Sequence, residues 1–327
     1  MKKTFFSLLV LFLLVAKATN LSAVPAYPYQ ITIKQSDNTL LSLFLKGDEK
    51  VHWAKTLDNY TLLVAKNGDY VYAVSDSKGG IKPSEMIAHN EGERSIKELE
   101  FISQLDKNLI YSREQVEYLK QFWDFKTTDN FQKALLNAKS TNRELRILVI
   151  LAAFSDVPFT YDAEYFNALF NQAGYNLNGN EGSVRDYFSA STFGHVTVIA
   201  DVFGPYTSSA GQSAYGFATV GMSGAKNLLT EMLYLADQDV NYSNYANYGG
   251  NYVDCVYMIF AGCSYSNGEP NAIWPHRSGL YPSIQKDGVY IQDYACSSEL
   301  GGTTLYGTTP PVIGTVCHEF SHVLGLA

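Results

Sequence analysis

No cysteine precedes Cys255 in a chain of 327 residues. An N-terminal thiolate therefore cannot cap a metal, no disulfide framework can organise the first two thirds, and a lipid anchor on an N-terminal cysteine is excluded. Positive charge is also short: 24 Lys and Arg stand against 32 Asp and Glu, a net charge of -8, which argues against nucleic acid or an anionic membrane surface as partner. After the opening residues no segment reaches the roughly 18 consecutive apolar residues that a membrane-crossing helix needs. No internal repeat or low-complexity tract stands out. Histidine is scarce, with six in the whole chain.

Aromatic residues are plentiful, with 24 Tyr and 18 Phe, which suits β-rich extracellular folds and peptide grooves, though core packing explains it as simply. Lys2 and Lys3 precede the apolar run Phe5 to Val15. Ala16-Lys17-Ala18 and Leu21-Ser22-Ala23 follow as small-residue cleavage sites. This is the pattern of a secretory signal peptide over 1–23, so we expect a secreted, extracellular protein of bacterial type, with no membrane insertion once the leader is removed. An exported chain permits disulfides, and Cys296 with Cys317 is the preferred pair. Cys255, inside the apolar run from Val253 to Phe260, reads equally well as a buried thiol.

The length allows two domains. Residues 24–90 read as a small β-rich unit of hairpins in series, with alternating stretches at Tyr29 to Ile33, Leu41 to Leu45, Tyr60 to Val64 and Tyr70 to Val74. Residues 91–145 are charged and helix-prone, a linker open to proteolysis. From 146 to 327 strands and helices mix. Ile147 to Phe154 reads as a buried central strand, Ser183 as the cap of a helix through Phe188, Met222 to Asp239 as a helix, Val253 to Ala261 as a second buried strand, Val289 to Tyr294 as a shorter alternating one, and Val312 to Leu326 as the last helix. The fold class expected is α+β.

The most specific chemistry lies in that last helix, at His318-Glu319-Phe320-Ser321-His322. Residues four apart share a helix face, so His318 and His322 present two imidazoles one turn apart, the span that one zinc ion bridges. Glu319, one step round, can reach a water on that metal and take its proton, as in metal-assisted peptide hydrolysis. Val316, Phe320, Val323 and Leu324 supply an apolar opposite side, and Gly325 can turn the chain back towards the metal. An ordinary buried helix with two hydrogen-bonded histidines is the plainer alternative.

Several further segments extend the pattern: Leu148 to Leu151 leading to Phe154-Ser155-Asp156-Val157, Gly182-Ser183-Val184-Arg185-Asp186-Tyr187-Phe188, Gly204-Pro205, Val253-Asp254, Ala261-Gly262, Ile273-Trp274-Pro275-His276-Arg277 and His318 to Leu326. In this order they resemble the M6 family of secreted bacterial metalloproteases, the immune inhibitor A type. The resemblance implies a zincin-like catalytic domain, here its upper subdomain, preceded by a propeptide-like β unit that makes the protein a zymogen. It implies zinc as cofactor, protein or peptide substrates, His318 and His322 as metal ligands and Glu319 as the catalytic base. The family's third ligand, an Asp or His three residues after the glycine, would fall just after Ala327, so the catalytic domain is expected to be C-terminally incomplete here. The family's calcium-loop-like stretch corresponds to Tyr245 to Asn251, which has no carboxylate. The alternative function is a non-catalytic exported homologue that binds proteins or surfaces.

Secondary candidates receive plainer readings. His276 is expected to be a structural histidine hydrogen-bonded in a loop, His195 a surface residue, Glu299 a helix cap or solvated group with a contact behind the ligands conceivable, and Arg185 with Asp186 a local ion pair. The strand Val289 to Tyr294 is expected at a sheet edge beside the cleft, where substrate could add as a strand. Asp37, Asp48 and Asp58 are candidates to cap the metal in a latent form, with activation by cleavage between Asn90 and Arg146.

Overall fold

The structure, a computed structural model, describes residues 26–48, 50–65, 67–121, 143–221, 223–247, 250–304 and 307–324. The leader read over 1–23 lies outside the described residues. The chain is mixed α+β and carries two main sheets, each with its own core.

The first sheet is a six-stranded antiparallel meander: β1 (Gln30–Lys34), β2 (Leu40–Gly47), β3 (His52–Thr56), β4 (Thr61–Val64), β5 (Tyr70–Ser75) and β6 (Ile81–Ile87). Alternation puts Ile31, Ile33, Leu41, Leu43 and Leu45 in one core. The chain from 91 onwards does not leave this unit at once. Helix α1 (Ile96–Ile102) starts at the Ser95 cap and buries Ile102 against the sheet. Leu109 and Tyr111 cover part of the opposite face, and before α2 (Arg113–Gln121) ends, its Gln115 bonds both the N–H and the carbonyl of Ile81. Residues up to 121 thus fold onto the meander, and 122–142 lie outside the described residues.

The second sheet has the order β10-β11-β9-β7-β8. Its strands are β7 (Arg143–Ala153), β8 (Val196–Thr207), β9 (Val256–Phe260), β10 (His276–Lys286) and β11 (Val289–Ser298). β7 lies between β8 and β9, parallel to both, and only β10 runs antiparallel to its neighbour. The apolar run of β7 has no polar alternation because both its faces are covered. Leu145, Ile147, Val149 and Leu151 pack on α3 (Ala163–Asn171), α4 (Val184–Ser191) and α6 (Ile313–Val323). Leu148, Ile150 and Ala152 pack on α5 (Ser223–Leu235). The chain leaves β7 in one direction to form β8 and returns across it to form β9. Right-handed crossovers then require the connecting helices to lie on opposite faces, as they do.

Two expectations change. The strand beginning at Val289 is not an edge strand: β11 is bonded to β9 on one side and β10 on the other, so its backbone groups are committed to the ladder. The edge is β10. Cys296 and Cys317 are not paired. All four cysteines are free thiols, and the sheet separates these two, with Cys296 in the core facing α5 and Cys317 in the core beneath α6. Burial pushes the Cys317 thiol up to about 12 and Cys263 to about 11, so neither is a ready nucleophile.

The two units meet along an aromatic seam. Tyr265 and Trp274 from the second unit belong to the same core as Ile31 and Tyr70 of the meander. Gly268 is needed there, since a Cβ on it would stand 2.4 Å from Ile31 Cδ1. No helix among the described residues is long and apolar enough to cross a membrane.

Candidate metal centre

Helix α6 opens at Val312, which has no side chain able to cap it. The missing acceptor comes from elsewhere: Asn180 Oδ1, in the loop before α4, accepts from Ile313 N–H at 2.9 Å. Val316, Phe320 and Val323 then bury against the sheet. Phe188 of α4 meets Phe320 edge-on at 5.3 Å between ring centroids, which fixes the two helices against each other. Helix α4 is itself held at its start by a capping box between Ser183 and Asp186.

With that side committed to the core, His318 and His322 face outwards, both partly exposed. Their Nε2 atoms are 3.1 Å apart and their rings nearly perpendicular. Two nitrogens each about 2.0–2.1 Å from one tetrahedral zinc stand roughly 3.3 Å apart, so the pair fits a shared ion with little adjustment. Burial, followed by the positive charges of His322 and Lys50, lowers His318 to about 4 and keeps its imidazole neutral at physiological pH, the form that can donate a lone pair. Among the described residues no third His, Cys, Asp or Glu completes a metal-binding group. The pair lines a cavity of about 310 Å³ with Tyr187, Ile313, Gly314, Cys317 and Ser321. Gly325 lies outside the described residues.

Glu319 is fully buried and is not among the residues that line the histidine cavity. Its charge adds to burial in raising the Tyr257 phenol well above its ordinary value. Tyr257 belongs to β9 and shares the core that the helix covers, so the carboxylate is shut away from bulk water.

The secondary candidates resolve individually. His276 is buried at the start of β10, its Nδ1 2.7 Å from the Trp274 carbonyl and its Nε2 2.8 Å from the Tyr294 hydroxyl, a structural role on a strand instead of in a loop. His195 is exposed, as expected. Glu299 is neither a helix cap nor solvated: it accepts from Thr160 and Tyr161 N–H at 2.6 and 2.8 Å and from Gly262 N–H at 3.1 Å, tying three loops together. Asp186 does not form an ion pair with Arg185. Its Oδ2 accepts from the N–H groups of Ser183 and Gly174, so the carboxylate serves the helix start.

Of the three carboxylates considered as caps on the metal, Asp37 bonds Thr39 and His89, and Asp58 binds Arg94 in a two-pronged pair. Asp48 receives the N–H groups of Lys50 and Val51 within its own turn. That turn lies near enough for the Lys50 charge to act on His318. The stretch resembling a calcium loop draws on a carboxylate from outside itself, Asp254, which accepts from Asn247. Nearby Asp201 is paired with Arg146. Asn180 and Tyr187 beside the site were missed and Glu299, in a separate cavity, was misassigned; only the uncapped Val312 hinted that a partner such as Asn180 was needed.

Compared with protein-family models and with curated proteins, the chain matches none.

Proposed function

We propose that the chain is a secreted zinc-dependent endopeptidase precursor built on a zincin-like catalytic domain, with His318 and His322 as metal ligands and Glu319 as the general base. The observation that carries this reading is the convergence of two Nε2 atoms at 3.1 Å on the open side of a helix whose other side is fixed in the core. Zinc held by that pair would supply Lewis acidity for the scissile carbonyl of a peptide. His318 and His322 then act as fixed donors, and the Asn180 cap with the Phe188–Phe320 contact holds the helix that carries them. Glu319 takes the proton of the attacking water and returns it to the leaving amine. Its enclosure keeps that proton from exchanging with solvent. An extended substrate, if it adds as a strand, does so along β10, because β11 has no free edge. The meander serves as a propeptide, with activation by cleavage between Asn90 and Arg146.

Casein cleavage by the zinc-loaded protein, with a Glu319→Gln control, tests this. The reading predicts that the wild type cuts and that Glu319→Gln lowers its rate by about 100-fold or more while zinc is retained. Equal rates for the two would remove Glu319 from the chemistry. Absence of both zinc and cleavage would favour the exported binding homologue.

A further inference from the structure

The seam between the two units contains a histidine that the proposed chemistry does not use. His52, the first residue of β3, stacks on Trp274 with ring centroids 4.3 Å apart and meets Phe217 edge-on at 4.9 Å and Tyr265 at 6.1 Å. These three rings belong to the second unit, so an N-terminal imidazole is inserted into an aromatic socket of the C-terminal unit. Among the described residues the one hydrogen-bond partner of the His52 ring is the Asp48 carbonyl, 3.3 Å from Nδ1, while the Tyr111 hydroxyl bonds the backbone carbonyl of His52. The rest of its surface opens on a cavity of about 270 Å³, which gives a proton a way in.

We propose that His52 is an acid-sensitive latch: neutral, it docks the N-terminal meander on the Phe217–Tyr265–Trp274 socket, and on taking up a proton it releases that docking. An imidazolium needs solvent or an acceptor for each N–H, and the socket offers aromatic rings and one carbonyl. Burial accordingly holds His52 down to about 4, with the Asp48 carbonyl and the Asp48 charge opposing. The docked form binds fewer protons than the released form. Docking strength is therefore fully present above about pH 6.5 and lost as pH falls from there towards 4. Allowing for the accessible part of the ring, the expected weakening between pH 8 and pH 5 is on the order of tenfold or more.

The other titratable groups facing His52 do not supply the effect. Asp48 favours the protonated form, and burial pushes the Tyr70 and Tyr111 phenols up to about 12 and Tyr265 well above its ordinary value, so these three do not ionise between pH 8 and 5; Lys82 lines the same cavity. His276, also held to about 4 by burial, is bonded to the Trp274 carbonyl and the Tyr294 hydroxyl, both within the second unit. Release would also carry away the turn bearing Lys50, whose charge acts on His318. The seam would thus make acidity a second trigger, separate from cutting the connection.

The test is a full chain with a protease site inserted between Gln121 and Arg143, cut after folding and run by gel filtration at pH 8 and pH 5. The two fragments of the wild type are expected to co-elute at pH 8 and to separate at pH 5, and those of His52→Phe to co-elute at both. Wild-type fragments that stay together at pH 5 or are already apart at pH 8 overturn the proposal, as does a His52→Phe form that separates like the wild type. Should His52→Phe lack native far-UV dichroism, His52→Gln takes its place. Independently, the His52 imidazole in the uncut wild type must titrate by NMR below 6.5, and a midpoint at or above that value overturns the latch. Neither readout depends on peptidase activity.

Discussion

The meander and the last helix treat their ionisable groups in opposite ways. In the meander, acids and bases are closed on one another: Glu98 is buried and accepts from the Tyr72 hydroxyl at 2.9 Å and the His89 N–H at 3.0 Å, and His89 bridges Glu98 and Asp37 at 2.8 Å on each side. Arg94 and Asp58 form a second closed pair. On α6 the two histidines stand 3.1 Å apart at Nε2 and line a shared cavity, while the helix beneath them is secured by apolar contacts. Closed networks fix a fold, because each member loses its partner if the backbone moves. A converging pair beside open space leaves room for a ligand to complete it.

The largest effect that would test this contrast is Glu98→Ala. It leaves the Tyr72 hydroxyl and His89 without their buried acceptor, and should destabilise the meander by about 3 kcal/mol or more in denaturant titration. A loss below about 1 kcal/mol would show that the network is not what closes the unit. His89 gives a prediction of direction. Burial works against its charged form, but Asp37 and Glu98 outweigh it, so the folded value is raised. Its contribution is fully present below about 6.5 and fades as pH rises through the folded value. Stability of His89→Gln relative to wild type should therefore improve from pH 6 to pH 9, the opposite slope from the His52 seam. A constant difference across that range would contradict the assignment.

Much of this fold could be read in advance. The hairpins in series follow from alternation and turn residues, the core strand β7 from a long apolar run, and the last helix from its spacing. β10 was missed because Gly279 and Pro282 interrupt any alternation, and the register is broken between Gly279 and Ile284. The length of β11 was underestimated because Ala295 to Ser298 are small residues with little pattern, though hydrogen bonding to β9 makes them strand. Glu299 was misread for a different reason. Its partners at Thr160, Tyr161 and Gly262 come from loops remote in sequence, and local propensity carries no trace of them. The histidine pair was legible because both members lie on one helix turn, whereas Asn180, which caps that helix across 133 residues of chain, was not.

Asn180→Ala sharpens the comparison from the side of the site. Loss of the cap should cost about 1 kcal/mol and loosen the start of α6, with a several-fold loss of zinc affinity and little change in the meander's own unfolding. Smallest of all in stability should be His318→Ala, within about 0.5 kcal/mol, because a partly exposed group facing a cavity supports little of the core.

The measurement that tests the central claim most directly is zinc titration by calorimetry of the wild type, His318→Ala and His322→Ala. The account predicts about one zinc per chain for the wild type and at least a hundredfold weaker binding for each alanine form, with folding intact. Wild-type protein that takes up no zinc, or alanine forms that bind as tightly as the wild type, would contradict it.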